Sequence, residues 1–249
     1  MNESFNLKCP YTSDNMKEIS QGAKRLVGQA AFSVLAKAKE MERQGKHILH
    51  FEIGEPDFDT PEYIKKAAAD AMGRGETHYV NSSGIPELRE AICDEIEQTR
   101  GFRPDIDQVL VCPGANPIIF FAAACLINPG QNMALQDPGF LTYYSVLNYT
   151  GIRGNRVQLK EENEFRMDPE DLLDVIDDDT RMILMNSPSN PTGGVLKKHE
   201  VERMAEIAEE KDLYLLSDEI YSKMTYDLEH FSPSVRDQCR ERTIILDGF

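Results

Sequence analysis

The chain has 249 residues, 41% of them hydrophobic and 28% charged, with a formal net charge of −16. This is enough for one large domain or two small ones, with the composition of a globular protein. So acidic a chain has no electrostatic footprint for nucleic acid or an anionic membrane, and its longest apolar run, residues 117–127, is well short of a membrane span.

Residues 1–25 are polar and irregular and read as an N-terminal arm without a signal peptide. The five cysteines, Cys9, Cys93, Cys112, Cys125 and Cys239, are scattered and show no CxxC spacing. That argues against a zinc site or a disulfide framework and for a reducing, cytoplasmic compartment. "FSVLAKAKEMERQG" (32–45) spaces Phe32, Leu35, Ala36 and Ala38 as in a helix and ends on Gly45, a helix stop. The turn-rich "GEPDFDTP" (54–61) leads into a helix from Pro61 to about Arg74, with Thr60 as its cap and Pro61 at its first position. A second helix follows in "GIPELREAICDEIEQTRG" (84–101).

From there strands and helices alternate. Strands are expected at 108–112, 132–136, 154–160, 180–186, 213–218 and 243–248. Helices are expected at 115–127, which should be buried, and at 140–149, 168–176 and 197–212. The alternation predicts parallel βαβ units with helices on both sheet faces, a three-layer α/β fold with a mainly parallel sheet. Residues 26–50 have no strand partner nearby and read as the N-terminal part of a second, smaller unit, leaving 51–249 as the large domain.

In open α/β sheets ligands bind beyond the carboxyl ends of the strands. After 108–112 come Gly114, Ala115 and Asn116, small residues at a helix start that can cradle a phosphate, or only a turn. After 132–136 comes Phe140, able to stack on a flat ring or simply to pack in the core. After 180–186 comes "SPSNPTGG", a stiff loop in which Asn190 is pushed from helical geometry by Pro191 and can offer its amide. "LYLLSDEIY" (213–221) ends a buried strand in Asp218, Glu219 and Tyr221. A buried carboxylate is costly unless something charged or hydrogen-bonding meets it, and a helix cap is the plain alternative for Asp218. A phosphate cradle, a ring, an amide and a buried acid with a phenol three residues on together suit pyridoxal 5′-phosphate (PLP).

"GEPDFDTP", "GIPELREAI", "NSPSNPTG" and "SDEIY" resemble, in order and spacing, the aspartate aminotransferase family of fold-type I PLP enzymes, the class I and II aminotransferases. The resemblance covers roughly residues 30–249. It implies that Asp218 pairs with the pyridine nitrogen, that Tyr221 and Asn190 bond the phenolic oxygen, and that Phe140 stacks on the ring. Gly114, Ala115 and Asn116 would hold the phosphate. Tyr79 would reach the phosphate of a neighbouring subunit, which implies a homodimer. Gly54, Phe140 and Asn190 would contact the amino-acid or 2-oxo acid substrate. Two departures stand out. The Schiff-base lysine is expected just after Phe249, and Ser222-Lys223 lies on the wrong element to replace it. Residues 1–249 therefore read as the N-terminal part of an enzyme and are not expected to transaminate alone. Asn116 stands where bacterial aspartate-type relatives often carry lysine, which leaves the amino donor open. The rival expectations are another PLP reaction (a β-lyase or an aminocyclopropane-carboxylate synthase-like enzyme), an inactive chain that only dimerises, and a PLP-sensing regulator.

Overall fold

The computed structural model describes residues 17–26 and 30–249. A short helix, α1 (Gln21–Lys24), is followed by α2 (Ala30–Arg43), α3 (Glu62–Gly73) and α4 (Pro86–Arg100). The α/β part then runs α5 (Asn116–Leu126), β1 (Asn132–Asp137), α6 (Leu141–Thr150), β2 (Arg153–Gln158), α7 (Pro169–Val175), β3 (Thr180–Asn186), α8 (Lys198–Glu210), β4 (Tyr214–Asp218), α9 (Ser234–Asp237) and β5 (Thr243–Leu246). The five strands form one parallel sheet in the order β2-β1-β3-β4-β5.

The apolar strand runs are parallel because both of their faces are covered. Side chains alternate across the sheet, so the inner strands β1, β3 and β4 each serve two cores. Ala134, Ile183, Met185 and Leu215 pack with Leu172 of α7 and Met204 and Ile207 of α8. Met133, Leu135, Met182, Leu184, Leu216 and Leu246 pack on the other face with Ile119 and Ala123 of α5 and Tyr143 and Leu147 of α6. This is the three-layer arrangement the sequence predicts. Among the described residues no helix is long and apolar enough to cross a membrane, and Cys93, Cys112, Cys125 and Cys239 are free thiols. Cys9 and most of the expected arm (1–16) lie outside the described residues. The described end of the arm docks on α6: Arg25 donates to the carbonyls of Asn148 and Tyr149 at 2.6 and 3.0 Å, satisfying the last turn of that helix.

Three expectations need correction. Residues 108–112 are not a strand. A 3-10 turn covers Ile106–Gln108, and the residues after it, beginning with the extended Val109, have no ladder partner beside them: Val111 N–H bonds the Ser83 carbonyl at 3.0 Å, and the Val109 carbonyl accepts from Arg89 Nε at 3.1 Å. Extended backbone becomes sheet only where a neighbour supplies the ladder. Thr60 is not the cap of α3: Pro61 occupies the cap position, with no side-chain hydrogen bond. Helix α5 is only half buried. Its apolar residues run all round, so one face packs on the sheet while Phe120 and Phe121 remain exposed, Phe120 meeting Tyr149 edge to face. Residues 54–70 are exposed throughout, and α3 buries no residue.

Leu184 sits fully buried in the central strand, so Leu184→Ala should cost about 2–5 kcal/mol of stability. The check is the urea midpoint of unfolding, which should fall with an unchanged slope.

Candidate active site

Strand β4 delivers Asp218 and Glu219 side by side, both buried, and their surroundings differ sharply. Glu219 is met by the Arg100 cation and by further hydrogen-bond donors. Arg100, at the end of α4, donates to Oε2 from Nε at 2.9 Å and from Nη2 at 2.6 Å, and its Nη2 also reaches Asp247 at 2.8 Å. Ser232 donates to Oε1 at 2.5 Å, and His230 Nε2 lies 3.2 Å from Oε2. An ionised Glu219 can only accept, so Nε2 carries the proton, and the buried Nδ1 is left without a partner. Burial pushes the Glu219 carboxyl up, but the bond from His230, the Arg100 charge and Ser232 outweigh it and hold the group below its usual range.

Asp218 has no such counter-charge. Its Oδ2 accepts from the Tyr143 hydroxyl at 2.6 Å and its Oδ1 from the Ile220 N–H at 3.2 Å. No cationic side chain among the described residues pairs with it. Burial raises its carboxyl, the two hydrogen bonds offset only part of that, and the charges of Asp247 and Glu219 raise it further. No helix follows: residues 220–223 form a turn, so a helix cap is not what Asp218 supplies.

The other strand ends are tied to this one by a buried polar chain. Gln136, in β1, donates to Ser189 Oγ at 2.7 Å and accepts from the Asn186 N–H at 3.0 Å. Asn186, at the end of β3, donates to the Asp218 carbonyl at 3.1 Å and accepts from the Asn190 N–H at 2.7 Å. Asn190 in turn donates to the Tyr221 hydroxyl at 3.3 Å. The peptide bonds before Pro138, Pro188 and Pro191 are cis. Phe140 caps α6 and meets the Tyr143 ring edge to face, with centroids 5.6 Å apart. Ala115 packs against the same apolar cluster as Phe140 and Tyr143, at the start of α5, which has no side-chain cap. Gly114 before it has φ +88° with open space where a Cβ would stand, a backbone any other residue would adopt only under strain.

Phe140, Asn190, Asp218 and Tyr221 are thus joined by contacts, with Gly114, Ala115 and Asn116 on the same face of the sheet. Tyr79 and Gly54 are not brought to them: both are exposed, and a Cβ at Gly54 would meet no atom within 4 Å. Lys223 is exposed and paired with Glu95 at 2.6 Å. Sequence reasoning missed Arg100, His230, Ser232 and Asp247 around Glu219, and Gln136, Asn186 and Tyr143 around Asp218. The signal that could have found the first group was Glu219 itself, a second acid in a buried run.

The two acids set opposite pH slopes. Glu219, depressed in the folded state, stabilises the protein above the ordinary carboxyl range, and that contribution is lost as pH falls through its folded value. Asp218, raised in the folded state, weighs against folding increasingly as pH rises from the ordinary aspartate value to its folded one. Arg100→Ala, which strands a buried charge, should therefore destabilise the protein by about 3–5 kcal/mol at neutral pH. Asp218→Asn should raise the neutral-pH melting temperature of the chain alone. Paired thermal melts of the two variants and the parent check both signs.

The family profile "Aminotransferase class I and II" matches residues 46–249. The aspartate/prephenate aminotransferase of Thermus thermophilus is 36% identical over 233 residues, covering 94% of this chain and 60% of that protein. The arginine–pyruvate transaminase of Pseudomonas aeruginosa is 36% identical over 221 residues, covering 89% and 56%. The solved aspartate aminotransferase from Thermus thermophilus with maleate superposes with a TM-score of 0.89 at 35% identity, covering 94% of this chain and 60% of that one. The chain thus spans about 60% of the length of the Thermus relative. With two thirds or more of its residues matched and the parallel sheet in common, the chain belongs to the class I and II aminotransferases.

Proposed function

We propose that residues 51–249 are the cofactor-binding domain of a cytoplasmic, homodimeric PLP-dependent aminotransferase that moves an amino group from an amino acid to a 2-oxo acid. Residues 26–50 begin its smaller domain. The observation that carries this reading is the contrast at the end of β4. Glu219 is neutralised within the chain, whereas Asp218 is also buried and has only neutral donors. A protonated pyridine nitrogen supplies the missing positive charge.

The remaining residues suit the same ligand. Phe140 offers a ring face. Asn190 and Tyr221, already hydrogen-bonded to each other, offer an amide N–H and a phenol to the ring oxygen. Ala115 and Asn116 offer main-chain N–H groups at the positive end of α5, and Gly114, whose own N–H bonds the Cys112 carbonyl at 2.8 Å, shapes the turn that presents them. Tyr79, exposed on the chain that carries it, suits a phosphate held by a second copy. Gly54 and Asn190 are assigned to the substrate. When bound, the protonated ring is an electron sink for the pair left when the substrate loses its α-proton. The chain's part would be to keep that ring charged through Asp218, to offer it the Phe140 ring and the Asn190–Tyr221 pair, and to hold its phosphate at the Gly114–Asn116 turn. Lys223 is assigned no proton transfer, since it is exposed and paired with Glu95. That role is assigned to a lysine beyond Phe249. The amino donor stays open: the relatives are named for different donors, and Asn116 brings no charge to a second carboxylate.

The test is PLP titration followed by amino-acid turnover of the full protein. PLP should bind, and the keto product of the donor should form only when a 2-oxo acid acceptor is present. Asp218→Ala should weaken PLP binding on the order of a hundredfold, the worth of roughly 3 kcal/mol from a lost buried charge partner. Pyruvate and ammonia without an acceptor would replace the transfer reading by a lyase, and absence of PLP binding would remove the cofactor.

A further inference from the structure

The Asp218 carboxylate accepts a side-chain hydrogen bond from Tyr143, which is not among the proposed cofactor contacts. Tyr143 lies three residues after Phe140, so the first turn of α6 places the two aromatics on one side. Its ring is 1% exposed, fixed edge to face against Phe140 and packed in the apolar cluster of that sheet face. The hydroxyl therefore cannot swing away from Asp218 Oδ2, 2.6 Å from it. The phenol can only donate here: burial, then the Asp218 charge, pushes its own ionisation far above the ordinary tyrosine value.

We infer that Tyr143 is a positioning residue for Asp218, turning the carboxylate so that Oδ1 is the oxygen presented to a cationic ring nitrogen. A carboxylate oxygen accepts more than one hydrogen bond, and Oδ1 holds only the N–H of Ile220, at 3.2 Å. Oδ2 is engaged by the shorter, charge-assisted bond. The same bond favours the anion against burial and the nearby charges of Asp247 and Glu219. Tyr143 thus offsets part of the penalty of a carboxylate without a cation, and it fixes which oxygen is left. The role of Oδ1 rests on the reading of Asp218 as the ring's partner. The hold of Tyr143 on Asp218 does not.

The experiment separates the two. In the cofactor-free full protein, carbon-13 carboxyl shifts of labelled aspartate are followed against pH, with Asp218→Asn identifying the resonance. Tyr143→Phe should raise the Asp218 proton affinity about tenfold, one pK unit. A fluorinated tyrosine at position 143, the same shape but a stronger donor, should move it the other way and keeps the test alive if Tyr143→Phe does not fold. An Asp218 titration unmoved by either change overturns the proposal. The same proteins are then loaded with nitrogen-15 PLP. The parent should show a pyridinium shift throughout neutral pH, and Tyr143→Phe a nitrogen that loses its proton at lower pH. An unchanged nitrogen overturns the role of Oδ1. If the parent takes up no PLP while the carboxyl still moves, the cofactor reading falls and the hold of Tyr143 on Asp218 stands.

Discussion

An ionised carboxylate inside a protein needs positive charge or several donors close by, and β4 ends in two of them with one supply. Arg100 reaches from the end of α4 to Glu219, with His230 and Ser232 completing its shell. Asp218, one residue earlier and on the opposite side of the strand, gets a phenol and one main-chain N–H. Much of the surrounding structure serves to keep these environments separate. Helix α4 and the residues around His230 close over Glu219, while α6 and the Asn186 loop frame Asp218. The fold neutralises the acid it needs for its own stability and leaves the other for something brought from outside.

The sheet was legible in the sequence because its period is local. Runs such as 180–186 and 213–218 are apolar without alternation, which fits strands covered on both faces, and α4, ahead of the sheet, carries its stop signal in Gly101. What could not be read was anything that depends on a neighbour distant in the chain. Residues 109–112 have strand composition but no adjacent strand to pair with. Helix α5 is apolar on every side, and only its packing reveals that Phe120 and Phe121 face outward.

The candidate site divides in the same way. Asp218, Asn190, Tyr221 and Phe140 stood out because each follows a strand and breaks its pattern. Tyr143 did not, because an aromatic in an apolar helix looks like any core residue until its hydroxyl is seen against a carboxylate. Gln136 and Asn186 were hidden inside strands, where a polar residue signals only that some partner exists. Arg100 lies 119 positions from Glu219, and nothing local links the two. Tyr79 and Gly54 were legible as motif residues, but their exposure separates them from the cluster that local motifs assembled around Asp218.

The strand order also fixes when that cluster can exist during folding. No two neighbouring strands are joined by a hairpin; each parallel pairing closes over an intervening segment, and β1 meets β3 only after α6, β2 and α7 have been made. Such non-local ladders form slowly, because loop closure precedes the contacts that reward it. Asp218 loses water only when β4 lies against β3, and Glu219 is covered only once β5 has joined, since its N–H bonds to the Leu246 carbonyl at 2.8 Å. The desolvated charge that most needs an outside partner therefore depends on long-range pairing, and a chain in which β4 does not lie against β3 keeps it hydrated.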